Sequence, residues 1–142
     1  MDTSLAHSKS ECHYHIVFIP KYRRKVLYGE IREAIKEIIV KLCEYKHVRI
    51  LAGAVCIDHV HLVVDIPAKM SVSQFVGYLK GKSALEIHDR YPEKVGKYDK
   101  SFWARGYFAK TIGTVSEKTV LEYVEEQGIM TKREELRERG HF

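Results

Sequence analysis

Two histidines alternate within an apolar run, Val55-Cys56-Ile57-Asp58-His59-Val60-His61-Leu62-Val63-Val64-Asp65-Ile66. A run this rich in β-branched residues reads as a strand, and residues two apart in a strand share a face. His59 and His61 therefore project together, while Val60, Leu62 and Val64 project the other way into a core. Two adjacent imidazoles look like half of a metal site. A second His-x-His pair, His13 and His15, competes for that role.

Further along, Tyr123 and Gln127 stand four residues apart in an amphipathic stretch, hence on one helix face. If that helix covers the histidines, His59, His61 and Gln127 supply two nitrogens and an amide oxygen. Such a mixed set with open positions suits octahedral Mg2+ or Mn2+. A structural zinc would want four ligands, usually including cysteine, and no cysteine is expected at a suitable spacing. An ion held this way would polarise a phosphate, and the Tyr123 phenol one turn away is placed to attack phosphorus.

The elements that must position these groups follow in order. Residues 1–11 are polar and expected to be loose. Cys12 to Pro20 reads as a first, central strand. Tyr28 to Tyr45 carries Ile31, Ala34, Ile35, Ile38 and Leu42 at helical spacing. Val48 to Cys56 is a second strand, joined to the His59–Asp65 strand by a tight antiparallel hairpin. Ser71 and Gln74 form a capping box for a helix reaching about Tyr91-Pro92. Phe102 to Phe108 reads as an aromatic fourth strand whose Trp103, Arg105 and Tyr107 share a face. Thr111-Ile112-Gly113-Thr114 breaks the pattern as a possible hinge. Thr114 and Glu117 cap a last helix, ended by Gly128, and residues 129–142 form a charged tail.

Gly77-Tyr78-Leu79-Lys80-Gly81-Lys82-Ser83 superficially resembles a nucleotide-binding loop. It is one residue short of the required spacing and lies in a helical pattern, so nucleotide binding is rejected. Candidate DNA contacts are Lys21, Tyr22, Arg23, Arg24, Lys80, Lys82, Trp103 and Arg105. Cations are suited to phosphates and aromatic rings to unpaired bases.

Length and composition fit one soluble domain spanning 1–142. The net charge is +5 with eight histidines besides, which favours a polyanionic partner. No apolar run is long enough to span a membrane, and no signal peptide is seen, so a cytoplasmic location is expected. Cys12, Cys43 and Cys56 lack CxxC spacing and lie in apolar stretches, as buried thiols do.

Strand–helix–strand–strand–helix–strand is the order of an α+β, ferredoxin-like or RRM-like antiparallel sheet. Helices are expected on both faces, the last one carrying the tyrosine. From Tyr14 to Gln127 the chain resembles the small single-tyrosine HUH transposases of the insertion sequence 200/605 type, the TnpA proteins. The likeness rests on Tyr14-His15-Ile16-Val17-Phe18, Pro20-Lys21-Tyr22-Arg23-Arg24, Leu42-Cys43, Val48-Arg49-Ile50-Leu51 and Asp58-His59-Val60-His61. It continues in Met70-Ser71-Val72-Ser73, Gly77-Tyr78-Leu79-Lys80-Gly81-Lys82-Ser83, Phe102-Trp103 and Arg105-Gly106-Tyr107.

The resemblance places the metal-binding pair on His59 and His61, the nucleophile on Tyr123 and the third ligand on Gln127. It implies a homodimer whose tyrosine helices are swapped, completing each site in trans. It also implies single-stranded DNA substrates recognised through subterminal hairpins, cleaved through a 5′-phosphotyrosine with a free 3′-OH, without ATP. Three alternatives carry less. A domesticated relative would act on genomic hairpin repeats. A replication-initiator or relaxase-type nuclease is usually larger. A non-catalytic RRM-like binding module would leave Tyr123, Gln127 and the histidines coincidental.

Overall fold

A computed structural model of the chain describes residues 13–96, 101–113 and 140–142. The elements in order are β1 (His13–Phe18), a 3-10 turn (Lys21–Arg23), α1 (Gly29–Tyr45), β2 (Arg49–Cys56), β3 (His59–Asp65), α2 (Val72–Arg90), a short α3 (Pro92–Val95) and β4 (Phe108–Gly113). The four strands form one sheet in the order β2-β3-β1-β4, every neighbouring pair antiparallel. This is the expected α+β topology. The Tyr123 helix, the loose N-terminus and residues 129–139 of the charged tail lie outside the described residues, and so does the swapped arrangement.

Alternation along the strands decides what each face does. Ile16 and Phe18 of β1 and Val60, Leu62 and Val64 of β3 join one core cluster with Ile31, Ile35, Ile38 and Leu42 of α1 and Phe75, Leu79 and Ile87 of α2. Removing each such side chain from water contributes about 1.5–3 kcal/mol, so this face is pinned to the helices. A one-residue slip would exchange the faces and bury the wrong set. The other face is thereby left to the histidines.

Local devices hold the register. Ser71 Oγ accepts from Gln74 N–H at 3.0 Å, and Gln74 Oε1 accepts from Ser71 N–H at 3.0 Å, the reciprocal cap foreseen for α2. A bulge between Ile50 and Ala52 turns Ile50 back toward Val64 on the core side. Gly53, at φ +153°, lies so close to β3 that a Cβ there would meet the His61 carbonyl oxygen. At the outer edge of β2, Val55 N–H donates to Gly140 O (2.9 Å) and Phe142 N–H to Gly53 O (3.1 Å). His141 is bridged to Ala54.

The fourth strand differs from expectation. It runs over Phe108–Gly113, not Phe102 to Phe108, and Thr111, Ile112 and Gly113 belong to it instead of to a hinge. Within the aromatic run, Trp103 makes only an isolated bridge to Pro20. Its indole N–H donates to the buried Ser83 Oγ at 2.8 Å, and its ring packs edge-on to Phe18 and Phe102. A buried indole needs a partner for its N–H, and Ser83 on α2 draws it inward. Trp103 is thus a core residue and shares no open stacking face with Arg105 and Tyr107, which are exposed. The Gly77–Ser83 stretch lies inside α2, as its helical pattern implied.

Candidate active site

The β2–β3 hairpin turns on two residues, Ile57 and Asp58, with Cys56 and His59 as its last paired residues. Paired residues share a face, so Cys56, His59 and His61 stand together opposite the helices. The same face continues across the sheet, because Ala54 and Val17 flank His61, and Val63 is paired with both Ala52 and His15. The candidate ligand atoms of Cys56, His59 and His61 all lie within 4.8 Å of one another. The expectation that no cysteine is spaced for a metal is therefore corrected, since the hairpin register brings Cys56 against His59.

His61 is 1% exposed, and neither of its ring nitrogens has a hydrogen-bond partner. An unpaired buried imidazole costs about 1–3 kcal/mol unless something fills its coordination. Its pKa is lowered to about 3, mainly by burial and further by the charges of His59, His15 and His141. It is consequently neutral, with a lone pair to give. The His59 and His61 rings stack at 5.8 Å between centroids.

His59 is aimed by its neighbours. Its Nδ1 lies 2.9 Å from Asp58 Oδ1. Burial pushes the Asp58 pKa up, but the hydrogen bond and charge from His59 and those from Arg23 outweigh it and hold the carboxyl below its usual value. An ionised carboxylate only accepts, so Nδ1 donates to Asp58, and Nε2 is the ring atom left to face a ligand. The other Asp58 oxygen accepts from Arg23 Nε at 3.1 Å. Arg23 and Tyr22 sit at φ 51° and 62°, the left-handed region that non-glycine residues seldom adopt. The strained turn thus ties the basic loop, through Asp58, to His59.

The proposed contacts divide accordingly. Tyr22 is 81% exposed beside the Lys21 ammonium, which stands 5.4 Å from its ring centre. Arg24 Nε donates to Lys21 O, bracing the loop from within. Lys82 and Arg105 are exposed. Lys80, a candidate DNA contact, donates to the carbonyls of Ala104 (2.6 Å) and Gly106 (2.8 Å) and holds the loop after Trp103. His15, of the competing His-x-His pair, contacts His61 edge-on at 6.2 Å between ring centroids and meets the half-exposed Phe108 at 5.8 Å. The sequence reading missed Cys56, Asp58 and Phe108 as parts of this face. The Cys-x-x-His spacing was the one available signal. Tyr123 and Gln127 lie outside the described residues.

Residues 8–127 match the family model described as "Transposase IS200 like". The transposase of insertion sequence element IS200 from Salmonella typhimurium is 49% identical over 127 residues, covering 89% of this chain and 83% of that protein. The ISDra2 transposase TnpA of Deinococcus radiodurans is 29% identical over 115 residues, covering 80% of this chain and 82% of that one. Among solved structures, a protein of Deinococcus radiodurans R1 described as a candidate transposase has a TM-score of 0.65 at 27% identity, covering 81% of this chain and 89% of that chain. A REP-associated tyrosine transposase solved on a REP hairpin has a TM-score of 0.59 at 16% identity, covering 86% and 71%, and shares the fold.

Proposed function

This chain belongs to the IS200-like transposase family, and we propose that it cleaves and rejoins single-stranded DNA at insertion-sequence ends through a phosphotyrosine. The observation that carries the proposal is His61, buried with two unpartnered nitrogens beside a His59 whose Nε2 is left open by Asp58. Two imidazoles side by side on one strand fit a divalent cation, with Gln127 as the further ligand, and Mg2+ or Mn2+ as the ion. When bound, such an ion polarises the scissile phosphate and offsets its developing charge.

The chain's own residues do the rest. Asp58 fixes the His59 tautomer and ring, and the β3 backbone fixes the spacing of the pair. The Tyr123 hydroxyl attacks phosphorus as it loses its proton. The P–O3′ bond breaks, the 3′-oxygen leaves and takes up a proton, and the 5′-phosphate stays esterified to the tyrosine. Reversal with another 3′-OH rejoins DNA with no net loss of phosphodiester bonds, so ATP is not needed.

Tyr22 offers a ring for an unpaired base, and Lys21, Arg24, Lys82 and Arg105 offer charge to phosphates. Subterminal hairpins are the recognised feature, and a homodimer with swapped tyrosine helices is the assembly. Both follow from the family resemblance, and a protein of the same fold was solved on a REP hairpin.

The test uses labelled single-stranded oligonucleotides from the flanks of the gene, incubated with Mg2+ or with EDTA and run on a denaturing gel. A protein–DNA adduct that needs Mg2+ and disappears in His59→Ala and His61→Ala is expected. An adduct indifferent to EDTA and to both substitutions would refute the histidine site.

A further inference from the structure

We infer that Cys56 is a third protein ligand at the hairpin end, making a Cys56–His59–His61 set that takes a thiophilic divalent ion, zinc in particular. This deepens the proposed function, because it rests on His59 and His61 being metal ligands. Three features carry it. First, Cys56-Ile57-Asp58-His59 is a Cys-x-x-His knuckle folded over a two-residue turn, with its outer residues directly paired. Ligands with two residues between them across a tight turn are the usual way a chain presents half of a zinc site.

Second, the Cys56 sulfur and the histidine nitrogens already lie within 4.8 Å of one another on one sheet face. A tetrahedral zinc, with bonds of about 2.3 Å to sulfur and 2.0–2.1 Å to nitrogen, needs ligand separations of about 3.5 Å. Small side-chain rotations close that gap without moving the backbone. Third, Cys56 is 3% exposed and His61 1% exposed, with both His61 nitrogens unpartnered. The buried His61 nitrogens beside the Cys56 sulfur fit a soft or borderline ion better than Mg2+, which holds oxygen ligands and several waters.

Zinc binding would release the thiol proton to solvent. Three protein ligands leave one tetrahedral position open. The face therefore accepts two kinds of ion, a hard one on the histidines with oxygen donors, and a thiophilic one drawn in by Cys56.

Cobalt(II) is the probe, because thiolate ligation gives a near-ultraviolet charge-transfer band and tetrahedral geometry gives intense visible bands. The full-length reduced protein is titrated with cobalt and then with zinc. Wild type should show both signatures, and zinc should erase them. Cys56→Ser should abolish the charge-transfer band and weaken zinc binding at least tenfold in competition with a chromogenic chelator. Cys43→Ser should change neither.

A wild-type spectrum without the thiolate band, or a band that survives Cys56→Ser, overturns the inference. Alkylation mapped by mass spectrometry on wild-type protein needs no variant. Zinc, but not magnesium, should slow modification of Cys56 severalfold, and equal rates would overturn it. The outcomes separate the two claims. A Mg2+-dependent DNA adduct without the thiolate band removes Cys56 alone. The thiolate band without any adduct leaves the ligand set standing and removes the proposed function.

Discussion

Replacing Asp58 with alanine isolates what orienting His59 contributes to the proposed metal site. Asp58 accepts from His59 Nδ1 at 2.9 Å and from Arg23 Nε at 3.1 Å, and its side chain is only 20% exposed. Without the carboxylate, nothing fixes the proton on Nδ1 or the ring plane that aims Nε2. Loss of a partner of this kind lowers metal affinity by about 10–100-fold, equivalent to about 1.4–2.7 kcal/mol. Arg23 is 67% exposed, so removing it loses an exposed ion pair worth about 0.2–1 kcal/mol, at most about fivefold. The assay is adduct yield against Mg2+ concentration for wild type, Asp58→Ala and Arg23→Ala. Half-saturation should rise by one to two decades in Asp58→Ala, with yield recovered at high Mg2+, and by much less in Arg23→Ala. An unchanged midpoint in Asp58→Ala, or a larger shift in Arg23→Ala, would refute the orienting role.

Lys80→Met should lower the melting temperature, because two charge-assisted hydrogen bonds to Ala104 and Gly106 are lost, each worth about 1.5–3 kcal/mol at most. A flattened salt dependence of DNA binding with unchanged melting would make Lys80 a phosphate contact instead. Leu62→Ala removes a fully buried side chain between sheet and helices and should cost about 2–5 kcal/mol by chemical denaturation. A loss under 1 kcal/mol would contradict the core assignment.

Acid should destabilise the metal-free protein. His61 is held at about 3 by burial first and then by neighbouring charge, and His15 at about 4 by burial and Lys110. The unfolded chain binds protons near pH 6.5 where the folded one does not, so stability is complete above that pH and is lost as pH falls towards 4 and 3. Melting in EDTA should drop steadily across that window, and His15→Phe should shallow the drop. A flat profile would show that these rings charge freely in the fold.

Local chemistry made much of the architecture legible. Alternation assigned His59 and His61 to one face and Val60, Leu62 and Val64 to the other. The Ser71–Gln74 cap marked the start of α2, and apolar spacing marked α1. Groups whose roles depend on distant partners were harder to read. Trp103 looks like a stacking ring until Ser83, twenty residues away, is seen to accept its N–H. Lys80 looks solvated until the loop carbonyls fold over it. The aromatic run scores as a strand on composition, yet the pairing with β1 begins in earnest only at Phe108, past Gly106 at φ +78°. Cys56 escaped because a search for paired cysteines ignores a cysteine that meets a histidine across a turn. The Arg23–Asp58–His59 chain joins residues 35 apart and is invisible to periodicity.

The most direct measurement is to locate the DNA on the protein. Adduct formed with a hairpin-bearing oligonucleotide in Mg2+ is digested, and the nucleotide-modified peptide is sequenced by mass spectrometry. The modification should map to Tyr123, and Tyr123→Phe should retain hairpin binding while forming no adduct. A 5′-phosphate found on another tyrosine, such as the exposed Tyr22, or an adduct undiminished in Tyr123→Phe, would contradict the proposed chemistry.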